Sequence, residues 1–526
     1  MLKKIFSLFL ISVFSLPAIA AEAPVVKKQE TLLYRDVYEQ NVHAEAMNQL
    51  DLSRWGRKLF KKPLGSANIN VFDEVPDSAF FVNRHAKSRL TSAQLARGYS
   101  ETDGPDLSGA LSVTKAKTEG LHVGFFIRDV KGDNYLVKFD GPDSLELATA
   151  AEVITSRFFY ALGYNVPQYT VSFFSPEKIK AAEGATTRDK TGFKKPLTQE
   201  KLEEALMFVP QTDEGEYRVS ASKILAGENK GYFSFNGRRK ADPDDIVNHR
   251  DRREIRALAV FGAWLNNNDI RESNTLDMLT EENGKQVLKH YLIDFNGSIG
   301  SAHGGAKPPL FGHEYMFDFG ETAKAFLTLG FWEKPWQKRW REAGEKSRSS
   351  AAVGYFDNRD FKPAEYKIQL PYEVFKRVTR ADGFWASKQI MAFSDEDIRT
   401  LVSAGKFSSK EDADYVSKTL IERRDLIAKY WFSQSAPLDD FEVQNGKLTF
   451  KDLAVQYQFE KAETRNYQAV LLDAKGKKIK DLAADASGVA LEGVAADSVI
   501  EIRVNASPYV RVQVSADSVI SVRHQD

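Results

Sequence analysis

The sequence contains no cysteine. Disulfides, thiolate zinc sites, iron–sulfur clusters and thiol nucleophiles are therefore excluded together, and any metal must sit on oxygen or imidazole. An excess of either charge is missing too, because Lys plus Arg number 73 and Asp plus Glu number 73. Without a global positive field, nucleic acid is not an expected partner. Beyond the N-terminus no apolar run reaches the roughly 20 residues that span a bilayer, so no transmembrane segment is expected after signal cleavage. The 8 histidines show no ligand spacing. There is no G-x-S-x-G, no full G-x-G-x-x-G and no internal repeat, which removes support for zinc catalysis and for the usual hydrolase elbow.

What is present is a long chain able to bury large cores. It has 526 residues, of which 42% are hydrophobic, with 35 Phe, 19 Tyr and 7 Trp. That length implies two or three domains rather than one module. Lys3 and Lys4, the apolar run Ile5 to Leu16 and the small-residue site Pro17-Ala18-Ile19-Ala20 read as a cleaved export signal over 1–20. A periplasmic or secreted location is the expectation, with no cysteine there for a lipid anchor.

Residues 21–110 read as an N-terminal extension packed on the core. From Ser112 strands are expected: 123–128, a turn at 131–134, and Tyr135-Leu136-Val137-Lys138-Phe139. A helix is predicted from Pro142 to Leu162, ended by Gly163, and a strand over 169–174. Residues 175–220, rich in Lys, Glu, Gly and Thr, read as an inserted surface segment. A second helix is expected from Asp251 to Asn266. The stretch 315–433, with Trp332, Trp336, Trp340, Trp385 and Trp431, reads as a helical core. Past Pro437 period-2 alternation, as in Val499 to Val504 and Val510 to Val514, predicts a small β-sandwich over 434–526.

Three segments carry chemistry: Lys138 with Glu152 on the following helix, Asp269-Ile270-Arg271-Glu272-Ser273-Asn274, and Asp294-Phe295-Asn296-Gly297. The strand-like runs Thr275 to Leu279 and Gln286 to Ile293 flank Asn283-Gly284, a strong hairpin signal. Pairing centred on that turn sets Asn274 opposite Ile293, which brings Asn274 and Asp294 to one end of the hairpin, where one divalent cation could bridge them. Asp269, five residues earlier, is positioned to orient or deprotonate a hydroxyl. Phosphoryl transfer asks for these parts: oxygen ligands for Mg²⁺ or Mn²⁺, a lysine on the phosphates and a placed carboxylate. Asp294 follows Tyr291-Leu292-Ile293, an apolar context in which a carboxylate needs a cation or strong donors. Glu146 competes with Glu152 as partner of Lys138. His249-Arg250-Asp251 lacks an Asn five residues on and reads as a salt-bridged helix start, from which Arg252 or Arg253 could reach the cleft.

In these residues the chain resembles the protein-kinase-like superfamily, over about residues 112–430, with its closest flavour in the atypical HipA-type and spore-coat-type secretory kinases. Tyr135 to Phe139 looks like the strand of the phosphate-binding lysine, Asp269 to Asn274 like the D-x-x-x-x-N catalytic loop, and Asp294-Phe295 like the start of D-F-G. Asn267-Asn268-Asp269 matches the N-x-D of the atypical branch. The departures are Asn268 and Ile270 beside the aspartate, Asn296 where glycine is usual, and only Gly120 and Gly124 as phosphate-cradling glycines. The resemblance implies an α+β fold: a two-lobed protein-kinase-like domain over 111–433, divided at 235/236, between the extension and the β domain. It implies ATP and Mg²⁺ or Mn²⁺ as cofactors, with Lys138, Glu152, Gly120 and Gly124 on the nucleotide, Asn274 and Asp294 on the metal, and Asp269 as the catalytic group. The acceptor hydroxyl, on a protein, sugar or lipid, is left open. So are transfer of AMP and a non-catalytic scaffold role.

Overall fold

The structure, a computed structural model, describes residues 27–29, 33–44, 47, 50–59, 63–117, 122–189, 191–302, 305–343 and 350–526. The segment read as an export signal, and Gly120, lie outside these. The chain is mixed α+β, as expected from the sequence.

Strands β1 (Leu111–Ala116), β2 (Gly124–Arg128), β3 (Asn134–Phe139), β4 (Tyr169–Phe174), β5 (Ile179–Arg188), β6 (Lys194–Pro196) and β7 (Tyr217–Lys223) form one sheet in the order β4-β7-β3-β2-β1-β5-β6. The β2–β3 turn closes because the Asp129 carboxylate accepts from the backbone N–H groups of Lys131 and Asp133, with Gly132 at φ +88°. Along β3, Tyr135, Val137 and Phe139 are buried in a cluster with Phe125, Ile127, Val219 and Ala221. Alternation along the strand then sends Lys138 to the opposite face.

That face carries α1 (Leu147–Leu162). It starts later than the predicted Pro142 because Asp140, at the end of β3, accepts from the backbone N–H groups of Glu146, Ala148 and Thr149, and Glu146 sits at φ +76°. The surface-segment reading of 175–220 holds for the exposed edge strand β6 and is corrected at the end of the segment, where β7 lies between β3 and β4 as an inner strand. Its pattern was hidden because both faces are buried. Arg218 donates to Thr149 Oγ1 (2.8 Å) and to the Lys406 carbonyl (2.7 Å), and Ser220 donates to Glu152 (2.5 Å).

Below the sheet, α1 and α2 (Arg253–Trp264) share a second core with Phe80, Phe81 and Leu95 from the N-terminal stretch and with helices from 380 onward. Arg252 and Arg253 do not reach the cleft. Arg253 pairs with Asp73 (3.0 Å) and Asp382 (3.1 Å), while Arg252 pairs with Asp245 and Glu254. Asp73 also bonds His524 (2.9 Å), so one carboxylate joins the N-terminal stretch, α2 and the last strand of the chain. The helical-core reading of 315–433 holds for the buried Trp385. Trp332 and Trp336 instead lie in a surface projection, with their indole N–H groups on Glu321 and Glu314. Past 437, a four-stranded and a five-stranded antiparallel sheet contribute Leu438, Leu448, Ile500, Val512 and others to one core cluster.

Asp382 is fully buried between Arg253 and Arg256. Asp382→Ala strands two buried guanidinium groups, and we expect a loss of about 3–5 kcal/mol in denaturant unfolding. A loss below about 1 kcal/mol would mean that Asp73 and Asp251 suffice to neutralise them.

Candidate functional site

Lys138 is the junction of the site. Its ammonium donates to Glu152 Oε1 (2.5 Å) on α1 and to Asp294 Oδ1 (2.9 Å) on the loop after the 275–292 hairpin. The second Glu152 oxygen accepts from Ser220 Oγ (2.5 Å), the neighbour of Lys138 across the ladder. Burial alone would lower the Lys138 pKa, but Asp294 and Glu152 hold it above the ordinary lysine range. Burial pushes the Glu152 carboxyl up against the opposing effect of Lys138. Burial would also raise the Asp294 carboxyl, yet Lys138 holds it well below the usual carboxylate range. Of the two carboxylates the sequence leaves in competition, Glu152 meets Lys138, while Glu146 accepts from the Ser408 backbone N–H.

Asp294 is placed by its neighbours. Phe295 is buried, stacked on Phe159 (centroids 5.3 Å) and edge-on to Tyr169 (5.8 Å), and Asp294 itself sits at φ +61°. Its side chain is a third exposed, open to the cleft. The hairpin β8 (Thr275–Glu282) and β9 (Lys285–Leu292) has the predicted register: 282 opposes 285, and the Ile293 N–H donates to the Asn274 carbonyl (3.0 Å).

The loop that carries Asp269 leaves α2 through Asn266 at φ +50°, a left-handed residue of the kind that ends helices. Asn274 Nδ2 donates to the Asp269 carbonyl (2.8 Å) and to Asp269 Oδ2 (3.2 Å), so the amide is turned toward Asp269. Gly297 lies against Asp269: a Cβ there would sit 3.1 Å from Asp269 Cβ, which explains a glycine at this point of Asp294-Phe295-Asn296-Gly297. At Gly124, paired with Lys138, a Cβ would meet the Val137 carbonyl at 2.8 Å and Lys117 at 3.0 Å.

Three residues of the site escaped sequence reasoning. Arg271 pairs with Asp269 Oδ1 (3.0 Å), approaches Asn274 Oδ1 (3.4 Å) and helps hold Asp294 ionised. Its only signal was a position inside the D-x-x-x-x-N loop. Lys307 is buried and donates to the Asn266 carbonyl (2.5 Å), Asn268 Oδ1 (2.9 Å) and the Gly297 carbonyl (2.8 Å). It ties the Asp269 loop to the Asp294 loop, and it gives Asn268 a structural task. Burial lowers its pKa to about 7, against the attraction of Asp269. No periodicity marks a lysine in a Gly-Gly-Ala-Lys-Pro loop. Glu272 is buried, accepts from Ser234 Oγ and the Phe235 N–H, and is pushed up to about 7 by burial and by the neighbouring charge of Asp36.

The oxygen types present are those a hard cation takes. Asp294 and Asn274 offer a carboxylate and an amide oxygen, and among the described residues no cluster of three or more His, Cys, Asp or Glu makes a closed cage. Mg²⁺ is commonly bound in this way, by one or two protein oxygens with substrate phosphates supplying the rest.

No protein-family model and no curated protein matches the chain. Similar solved structures include a proinflammatory kinase, CtkA, of Helicobacter pylori, at 11% identity and TM-score 0.30 over 61% of this chain and 98% of that one. A Golgi casein kinase is similar at 11% identity and TM-score 0.32 over 78% of this chain and 95% of that one. The Golgi casein kinase with Mn/ADP bound is similar at 10% and 0.30 over 77% and 92%. Likenesses this distant carry no chemistry, which rests on the geometry above.

A carboxyl raised from 4.5 to about 7 takes up a proton on folding between those values. Its protonated form therefore favours folding as pH falls through that window, and above about pH 7 the buried charge destabilises the fold. Glu272→Gln should leave stability unchanged near pH 4 and raise it at pH 8 by on the order of 2 kcal/mol. A pH-independent difference between the two chains in thermal unfolding would contradict the assignment.

Proposed function

We propose that this chain is an exported, kinase-like phosphotransferase that moves the γ-phosphoryl group of ATP to a hydroxyl acceptor. The observation that carries the reading is the placement of Lys138 between Glu152 and Asp294, with Asp269 beside the Asp294 loop. Lys138 stays protonated at any physiological pH and is the group for the nucleotide phosphates, held on its strand by Glu152. Asp294 and Asn274 are the residues to hold Mg²⁺ or Mn²⁺, which when bound neutralises charge on the β- and γ-phosphates. Asp269 orients the acceptor hydroxyl. The acceptor oxygen bonds to the γ-phosphorus, the bond from that phosphorus to the β–γ bridging oxygen breaks, ADP leaves, and the hydroxyl proton passes to the Asp269 carboxylate. Arg271, on the same loop, is placed to meet the transferred phosphoryl oxygens. Lys307 acts on none of these atoms; it is a positioning residue that fixes the two loops relative to each other.

A second reading, a nucleotide- or partner-binding scaffold without chemistry, is favoured by one observation. The Asp269 carboxylate is engaged by both Arg271 and Asn274. Export rests on the 1–20 segment of the sequence. Among the described residues no helix is long and apolar enough to cross a membrane.

Saturating ATP with Mg²⁺ or Mn²⁺ should raise the melting temperature by about 2 °C or more, since a ligand at 100 times its Kd adds roughly 2.7 kcal/mol. Asp294→Ala should abolish that shift, and Asp269→Asn should keep it while losing transfer of labelled γ-phosphate. A wild-type shift without transfer, unchanged in Asp269→Asn, would support the scaffold. No shift in the wild type would sink the nucleotide site.

A further inference from the structure

Away from the Lys138 site, an exposed apolar tip lies between α3 (Phe319–Leu327) and α4 (Pro335–Ala343). Within six residues Phe326, Leu327, Leu329 and Phe331 are 79%, 81%, 86% and 90% exposed. Among the described large apolar side chains, only Leu52 elsewhere exceeds the lowest of these. Thr322, Ala323, Lys324 and Thr328 are exposed as well, so α3 stands clear of the body on this side.

The tip is built, rather than frayed. The Gly330 N–H donates to the Ala325 carbonyl (2.7 Å) and the Leu329 N–H to the Phe326 carbonyl (3.1 Å), a helix-ending turn of the Schellman type. Leu329 and Gly330 both take left-handed φ, +51° and +84°. Such turns usually place Gly, Asn or Asp at the strained position. A leucine there, strained and in water, gains nothing within the fold.

Behind the tip lies a collar of aromatic and cationic groups. The Trp332 indole N–H is bonded to Glu321 (2.8 Å) and its ring lies under the Lys324 ammonium (5.0 Å). The Trp336 N–H is bonded to Glu314 (2.7 Å), which also pairs with Lys334. Four exposed apolar side chains flanked within ten residues by Trp332, Trp336, Lys324 and Lys334 give the residue set of an interfacial membrane anchor, aromatic and cationic groups beside an apolar tip. The collar cations are matched by glutamates, so apolar insertion rather than charge supplies the attraction. We propose that the 326–331 tip inserts into the interfacial region of a phospholipid bilayer. The base of the projection is tied to the loop that carries Asp269, because the Met316 N–H bonds the Gln369 carbonyl and the Gln369 N–H bonds the Asn268 carbonyl. The inference goes beyond the phosphotransfer reading and stands without it.

The test is flotation of the full chain with phosphatidylcholine vesicles, with and without phosphatidylglycerol, beside the variant Phe326→Ser/Leu327→Ser/Leu329→Asn/Phe331→Ser. Both chains carry the same residues 1–20, so any contribution from those cancels. The variant should partition at least about tenfold less, in both lipid mixtures, with an unchanged melting temperature because the replaced side chains are already in water. Brominated acyl chains should quench the emission that Trp332→Phe removes, and should cease to do so in the tip variant. Equal flotation of the two chains overturns the proposal. So does absence of flotation, and if light scattering then shows the variant at half the mass of the parent, a second copy covers the tip instead.

Discussion

The ammonium of Lys138 is the constraint on which the site depends. It is nearly excluded from solvent, which is costly for a charge unless carboxylates surround it. Two do, from separate parts of the chain: Glu152 from a helix under the sheet and Asp294 from a loop after a distant hairpin. Because the charge is tolerable only with both in place, sheet, helix and hairpin loop are held in one arrangement. The same arrangement leaves Asp294 partly open to the cleft. Structural cohesion and readiness for a cation thus come from one set of charges.

A second set of buried bonds fixes the opposite wall. Lys307 closes three carbonyl and amide oxygens of the Asn266–Asn268 turn and the Gly297 backbone with a single side chain. Gly297 allows the two loops to approach within van der Waals contact of Asp269. Lys307 has no carboxylate among these three acceptors, so its low pKa reflects burial among neutral dipoles. Stability is given up at this place to align two loops, a common feature of functional sites.

The sequence made much of this legible where a local rule applied. Alternation along Tyr135 to Phe139 separated Lys138 from its apolar neighbours, and the Asn283-Gly284 turn fixed the register that sets Asn274 against Ile293. The sequence left Glu152 and Glu146 in competition for Lys138, because both lie near the start of the same helix and only the tertiary packing separates them. Local rules failed where partners are distant. Strand β7 carries Arg218 and Ser220 inward, and only the remote Thr149 and Glu152 make that burial possible. Arg253 turns to Asp73 and Asp382 rather than to the cleft for the same reason. The aromatic richness of 315–340 resembles a core by composition, yet there the rings sit on a projection, which composition alone does not distinguish from an interior.

The central claim is that Asp294 holds a divalent cation beside a nucleotide bound at Lys138. Mn²⁺ electron paramagnetic resonance, titrating the full chain in the presence and absence of ADP, tests it most directly. The account predicts Mn²⁺ immobilised on the protein when ADP is present, with little bound in its absence and none in Lys138→Met or Asp294→Ala. Free Mn²⁺ no lower than in the same ADP solution without protein, or binding by either variant equal to that of the parent chain, would contradict it.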